Sequence, residues 1–284
     1  MPSQREIRRR IGSGGNIKQI TRAMQFVAAS KLKRAQDATL ASRPYSEKLD
    51  EVLADVAAVV DHEKHPLLAD ERDGPRLIVL FTTDRGLAGS LNTNTTRFAA
   101  REIAASTGEL PVVTVGRKGT VAMRRAHVPL AASFDGFGDR PTFSDVLPLA
   151  RLVSDDFLAG TYTKVHLLYP AFVSTLVQRP ELKRLLPVKP NPRATEGIPG
   201  KQFIFEPDPG RVLSQLMPRY VATRLFQAVL ELTASEQSSR MVAMRNATDN
   251  AQDLIDDLTL TYNKVRQSNI TREMVEIATG ASST

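Results

Sequence analysis

The chain has no cysteine among its 284 residues, which excludes disulfides and cysteine-ligated metal sites. It has no tryptophan, and aromatic residues make up only 6% of the sequence. So few aromatics favour a helix-rich protein packed through alanine and leucine. No apolar run approaches the roughly 18–20 residues of a membrane-spanning helix, and the N-terminus has no apolar segment typical of a secretory signal. We therefore expect no direct membrane span and no secretion.

Positive charge is concentrated at one end of the chain. The net charge is +7, yet residues 1–36 alone hold nine basic residues against the single acidic residue Glu6. The C-terminal stretch 211–284 is neutral, with eight basic and eight acidic residues. This distribution predicts that the N-terminal segment faces an acidic partner surface.

Both ends of the chain read as long helices. Apolar residues recur at three- and four-residue steps over 3–60 and again from Asp208 to about Thr279, a spacing typical of helices. Pro44 is expected to kink or interrupt the first run, whereas Asp208 is a candidate N-cap of the second. Helices of roughly 85 and 105 Å cannot fit inside a compact chain with a radius of gyration of about 19 Å. We expect the segments 1–61 and 208–284 to pair as an antiparallel two-helix coiled coil.

The middle of the chain, 76–200, alternates between short apolar runs and helical text. "RLIVLFTTD" (76–84), "PVVTVG" (111–116) and "KVHLLYP" (164–170) are strand-like, and a weaker strand lies near "PLAASF". Helical stretches separate them, which predicts a parallel, Rossmann-like α/β domain. The stretch 175–188 is a candidate antiparallel edge hairpin. The predicted fold class is thus α/β, with a central α/β domain between two long helices.

Two glycine-rich stretches raise the question of phosphate binding. "GSGGN" (12–16) follows helical rather than strand-like text, so a softened helix is the favoured interpretation. "TTDRGLAGSLNTN" (82–94) follows a strand, and Asp84 there could orient a ribose or a metal. That loop lacks the full dinucleotide fingerprint and the lysine of a P-loop, which favours a structural turn. A nucleotide-binding α/β enzyme using 82–94 stays open as the alternative.

Other candidate sites are weak. His62 and His65 could share a metal, but the stretch is a charged linker with no firm third ligand. The basic N-terminal helix could bind nucleic acid, but it has almost no interleaved aromatic residues and no groove-reading motif. No catalytic constellation stands out. We expect no cofactor, no metal and no nucleic-acid partner.

The sequence resembles the gamma subunits of F-type ATP synthases, which form the central rotor stalk. The resemblance is carried by "SEQSSRMVAMRNATDNAQDLIDDLTLTYNKVRQSNITREMVEIATGA" (235–281) and by "NIKQITRAMQFVAASKLKRAQ" (16–36) with "SRPYSEKL" (42–49). Further matches are the 82–94 loop and "FIFEPDPGRVL" (203–213). The similarity runs in order along essentially the whole chain.

The resemblance implies a rotary coupling role without a catalytic site. It implies that the terminal helices lie inside a hexamer of alpha and beta subunits, while a foot contacts the epsilon subunit and the membrane ring of c subunits. Ion flow would turn the ring and the shaft, driving ATP synthesis, and ATP hydrolysis would drive the reverse. With no transit segment in view, the expected location is peripheral, on the cytoplasmic face of a bacterial plasma membrane.

Individual residues match positions with known roles in the family. The resemblance implies contacts with the catalytic hexamer for Met24, Lys31, Lys33, Arg34, Arg240, Arg266, Gln267 and Thr271. It implies a position in the foot facing the c ring and epsilon for Phe205 and Glu206.

The sequence also departs from the family pattern. Gly14 and Gly15 stand where larger helix formers are expected, which predicts a helix that is soft or bent at 12–15, because each glycine costs about 1 kcal/mol relative to alanine. Ala88 replaces a frequent cysteine and Ser90 a glycine, and neither change is expected to affect coupling. The absence of a cysteine-bearing insertion argues against thiol regulation.

Overall fold

The structure is a computed structural model that describes residues 3–59, 67–68, 74–106, 108–189, 206 and 208–281. It divides into two compact units, one formed by Met1–Ala28 with Arg240–Thr284 and the other by Ala29–Ser239. His62, His65 and Phe205 lie outside the described residues. The elements in chain order are α1 (Gln4–Val59), β1 (Arg76–Phe81), α2 (Leu91–Ala104), β2 (Val112–Val115), α3 (Arg117–Arg125), β3 (Leu130–Phe134), a 3-10 turn (Phe143–Val146), α4 (Leu147–Leu158), β4 (Lys164–Phe172), β5 (Gln178–Leu186) and α5 (Pro209–Ala281).

The two long helices have 56 and 73 residues. The expectation that Pro44 interrupts the first helix is wrong, because α1 continues through it, and α5 likewise continues through Pro218. The Asp208 cap is confirmed: its Oδ1 accepts a hydrogen bond of 3.0 Å from the backbone N–H of Arg211, which satisfies a donor of the first turn. In the described parts of the chain, no helix is long and apolar enough to cross a membrane.

Five strands form one sheet in the order β3-β2-β1-β4-β5. β1 pairs in parallel with β2 and with β4, and β3 pairs in parallel with β2. β5 lies at the edge and runs antiparallel to β4. The predicted α/β class, the weak strand near "PLAASF" and the edge hairpin are all confirmed.

The sheet is covered on both faces, because successive strand residues point to opposite sides. Leu77, Val79 and Phe81 face one apolar core, which also contains side chains of α1, α4 and α5. Ile78 and Leu80 face a second core, which contains side chains of α2 and α3. Strands buried on both faces read as continuous apolar runs, and β1 follows this rule.

The smaller unit is an antiparallel pair of helical segments. Lys18 donates to Gln252, and the hydroxyls of Thr21 and Thr248 lie 2.8 Å apart. Because the residue numbers rise on one segment as they fall on the other, the two segments run in opposite directions. The predicted antiparallel pairing is therefore confirmed in this unit.

Candidate functional site

The loop after β1, the nucleotide-binding candidate, is held by backbone groups of this chain. The two carboxylate oxygens of Asp84 each accept a 3.0 Å hydrogen bond, one from the N–H of Arg117 and the other from the N–H of Gly136. Asp84 therefore links the loop to the start of α3 and to the segment after β3. Its oxygens have partners within the fold, so a ribose or a metal would have to compete with them.

The same loop is packed tightly against the start of α3. A Cβ atom added to Gly116 would lie 2.0 Å from the carbonyl oxygen of Thr82, and Gly116 has a φ of +96°, so only glycine fits there. The N–H of Gly119 donates to Thr82 Oγ1 at 2.7 Å. These contacts agree with the interpretation of 82–94 as a structural turn.

Helix α5 lies against the crevice where open α/β sheets usually bind ligands. That crevice is found beyond the carboxyl ends of the strands at the point where strand order reverses, which here lies between β1 and β4. The hydroxyl of Ser239 donates to the carbonyl oxygen of Ala88, just after β1, at 2.7 Å. The hydroxyl of Ser235 donates to the carbonyl oxygen of Pro170 in β4 at 2.8 Å. Two side chains of α5 thus bond to backbone groups that lie next to this crevice.

Two more contacts extend this row of hydrogen bonds. Ser238 Oγ donates at 2.7 Å to the carbonyl oxygen of Thr175, in the hairpin between β4 and β5. Gln237 Nε2 donates at 3.2 Å to Asp139 Oδ1, in the segment after β3. We call Ser235, Gln237, Ser238 and Ser239 the polar collar; of these, only Ser239 is not buried. Sequence reasoning missed the collar, although its residues begin the 235–281 stretch that carries the family resemblance.

Lys31, which the sequence predicts to contact the catalytic hexamer, binds the same carboxylate, Asp139, as the collar residue Gln237. Its Nζ lies 2.5 Å from Asp139 Oδ2, and the lysine side chain is only 25% exposed. Lys33 is exposed and forms an i,i+4 pair with Asp37 at 2.9 Å. The exposed Arg34 donates from Nε to the Ser30 carbonyl of its own helix at 3.4 Å. Lys31 is therefore paired within the fold and partly buried, whereas Lys33 and Arg34 are exposed.

The predicted contact residues of the smaller unit differ in exposure. Met24 is half-buried, and Arg266 and Gln267 are exposed. Thr271 is exposed and donates to the Gln267 carbonyl of its own helix at 3.0 Å. Arg240 is only 9% exposed, so little of its guanidinium is available to another subunit. In the other unit, Glu206 is exposed.

A groove of about 980 Å³ lies between α1, α5 and the β4–β5 hairpin. Burial is the main cause that raises the pKa of the Glu231 carboxyl in this groove. The positive charge of Lys183 opposes this rise, and the negative charge of Glu181 adds to it. A hydrogen bond from the Phe172 N–H and the charge of Arg43 also lower this pKa. Among the residues described, three ion pairs lie in or beside the groove: Lys183–Glu181 at 2.9 Å, Lys33–Asp37 at 2.9 Å, and Arg224–Asp50. Across the described residues, no group of three His, Cys, Asp or Glu side chains could hold a metal.

The smaller unit exposes many large apolar side chains. Ile20 and Val27, two of the apolar residues that recur at helical spacing in the first segment, are 59% and 54% exposed. The exposed large apolar residues of this unit are Ile17, Ile20, Phe26, Val27, Leu254, Leu260, Ile270, Met274, Val275 and Ile277.

Comparison of the sequence with known proteins identifies one family. The profile of the family described as "ATP synthase" matches residues 3–284. The ATP synthase gamma chain of Roseiflexus sp. (strain RS-1) is 48% identical over 287 residues, covering 99% of this chain and 98% of the relative.

Solved structures agree with this result. A chain in the central stalk and c ring of the Tetrahymena thermophila mitochondrial ATP synthase is 26% identical, with a TM-score of 0.62, covering 80% of this chain and 99% of that one. A chain of the Euglena gracilis mitochondrial ATP synthase shares the fold, with a TM-score of 0.70 at 19% identity, covering 99% of this chain and 94% of that one. The protein therefore belongs to the family of ATP synthase gamma chains.

Proposed function

We propose that this chain is the central rotor shaft of an F-type ATP synthase. It couples ion-driven rotation of the membrane c ring to ATP synthesis at the alpha/beta hexamer, or ATP hydrolysis to rotation in reverse. The observation that carries the proposal is the match to gamma chains over the whole length. The structure of the central stalk with its c ring, to which this chain is similar, supports the same role.

The exposed apolar side chains of the smaller unit suit a shaft that turns inside other subunits. Scattered apolar side chains form weak, non-directional contacts, which can be exchanged as the shaft rotates. We propose that Met24, Lys33, Arg34, Arg266, Gln267 and Thr271 contact the alpha and beta subunits. For Lys31 and Arg240 we propose indirect roles instead, because the first is paired with Asp139 and the second is buried.

The mechanical division of the chain is also part of the proposal. In it, 1–61 and 208–284 serve as the shaft, and 76–200 serves as the body that connects the shaft to the ring. The segment containing Phe205 and Glu206 serves as the foot facing the epsilon subunit and the c ring. The protein is then peripheral, on the cytoplasmic face of a bacterial plasma membrane, as its bacterial relatives suggest.

We propose that the chain performs no chemistry of its own. The loop 82–94, the best candidate for nucleotide binding, uses Thr82 and Asp84 to join parts of this fold. Helix α5 covers the neighbouring ligand crevice. The chain acts instead by presenting different faces to the three catalytic sites as it turns, so that their conformations differ at any moment.

Reconstitution tests the proposal. Purified alpha and beta subunits are assayed for ATP hydrolysis with and without this chain, and a bead attached to the β-sheet domain of residues 76–189 reports rotation. We expect cooperative hydrolysis and stepwise rotation only when the chain is present. Equal turnover without the chain would refute the rotor function, whereas nucleotide binding by the isolated chain would favour the enzymatic alternative.

A further inference from the structure

We propose that the polar collar is the joint that prevents α5 from turning or sliding against the sheet domain (residues 76–189), so that torque passes between them. The proposal rests on the rotor function and adds the residues that bear the load. Ser235, Ser238 and Ser239 bond to carbonyl oxygens after β1, in β4 and in the β4–β5 hairpin.

The geometry of these hydrogen bonds makes them sensitive to sliding and rotation of α5. Hydrogen bonds require donor–acceptor distances of about 2.7–3.2 Å and near-linear geometry. A slide of one residue moves a helix by about 1.5 Å, enough to break bonds of this length. The three serines lie at i, i+3 and i+4 and share one helix face, so a rotation about the helix axis would strain all three together.

The rest of the interface between α5 and the sheet is mainly apolar. Residues of α5 between Leu213 and Leu232 join the large apolar core. Apolar contacts resist separation, but they are not directional, and they specify the rotation of the helix less sharply. The core therefore holds α5 on the sheet, and the collar fixes its register and rotation.

The other long helix, α1, is bound to the same carboxylate of the sheet domain as α5. Asp139 accepts from Gln237 of α5 through Oδ1 and from Lys31 of α1 through Oδ2. One carboxylate of the sheet domain thus binds both long helices at the level of the collar. Torque on the sheet domain would reach the two helices together, which limits twisting of one against the other.

The collar lies at the end of the part of α5 that belongs to the larger unit. The collar ends at Ser239, and α5 continues from Arg240 into the other compact unit. The hydrogen-bonded residues thus occupy the last turn of α5 that belongs to the larger unit. A load entering through the sheet domain leaves it through this turn.

The test uses the full chain carrying Ser235→Ala, Ser238→Ala and Ser239→Ala together. Alanine has the highest helix propensity, so α5 itself is not weakened. Ser214→Ala is the matched control, because among the residues that the structure describes the exposed Ser214 hydroxyl bonds to the Gly210 carbonyl of its own helix, at 2.9 Å, and not to the sheet. Val229→Ala, which removes core volume at a residue 1% exposed, controls for a general loss of stability.

In the assembled complex, twist stiffness is measured with the hexamer fixed and a bead on the sheet domain. We expect the triple variant to assemble and hydrolyse ATP but to lose twist stiffness and ions pumped per ATP. Ser214→Ala and Val229→Ala should retain the parental twist stiffness and the parental number of ions pumped per ATP. Ser239→Thr, which keeps the hydroxyl, should retain more twist stiffness than Ser239→Ala. Parental stiffness in the triple variant, or an equal loss in Val229→Ala, would overturn the joint.

A second measurement separates the joint from the rotor function. Hydrogen exchange in the free chain is followed at 86–90 and 173–177, the loops that accept the hydroxyls of Ser239 and Ser238. Each lost bond should raise local opening by about fivefold, and unchanged exchange would overturn the joint. If the parental complex did not rotate at all, the rotor function would fail, while the exchange result would still decide whether the collar holds α5.

Discussion

Gly14 of α1 packs directly against Ile255 of α5. A Cβ atom built on Gly14 would lie 3.0 Å from Ile255 Cγ1, whereas nothing lies within 4 Å of the corresponding positions on Gly12 and Gly15. Gly14 is buried and the other two are exposed. One of the three glycines thus allows a close helix contact, and the other two have no such packing reason.

This difference predicts that the same substitution has different effects at the three glycines. Gly12→Ala and Gly15→Ala should each raise the free energy of unfolding of the helix pair by up to about 1 kcal/mol, the propensity difference between glycine and alanine. Gly14→Ala should gain less or lose stability, because its methyl group must displace Ile255. Hydrogen exchange over 10–18 measures the effect, and an equal gain at all three positions would contradict it. In the parent, exchange over 12–15 should be faster than over 20–30.

The three basic residues of α1 should separate into two classes. Lys33→Ala with Arg34→Ala should leave the free energy of unfolding within about 0.5 kcal/mol of the parent, because both side chains are exposed. Coupling in the complex should fall. Lys31→Ala should instead cost about 0.5–1 kcal/mol, less at high salt, because it leaves Asp139 without its cation. Urea unfolding of each variant is the measurement, and equal costs for Lys31→Ala and Lys33→Ala would count against this division.

Asp84 should prove to be a structural residue. Asp84→Ala removes the acceptor for two backbone N–H groups and should lower the free energy of unfolding by about 1–2 kcal/mol. Asp84→Asn, which keeps one oxygen, should cost less. Equilibrium dialysis with ATP and NAD run in parallel should detect no binding in parent or variant. Saturable binding by the parent that disappears in Asp84→Ala would restore the nucleotide-binding alternative.

The groove carboxyl Glu231 should make stability depend on pH. Burial is the main cause that raises the pKa of this carboxyl in the folded chain. Its contribution to the free energy of unfolding is therefore fully present below the unfolded pKa, near 4.5. That contribution is lost as the pH rises through the folded pKa. Glu231→Gln should therefore gain stability relative to the parent above pH 4.5 and not below it. Unfolding measured at several pH values tests this; Glu47→Gln, an exposed carboxylate of the same groove, is the control, and the same pH profile in both variants would refute the assignment.

Local patterns in the sequence predicted the main elements. The 3.6-residue periodicity of both termini, the cap at Asp208 and the alternation of strands and helices each depend on residues close together in the chain. Such signals can be read without knowing the fold. The pattern at Pro44 misled, because the packing of a long helix can outweigh the lost hydrogen bond and the strain of one proline.

Partners that are distant in the sequence could not be read in the same way. Lys31 and Asp139 are separated by 108 positions, and Ser239 and Ala88 by 151. Whether they meet depends on the strand order and on which face α5 presents to the sheet, both of which are settled by packing of the whole larger unit. The sequence by itself therefore determined the helices, the strands and the family. Only the tertiary structure decided that Lys31 is paired rather than free, and that the serines after Ala234 tie α5 to the sheet, because hydrogen bonds act over about 3 Å and local periodicity carries no such long-range distance.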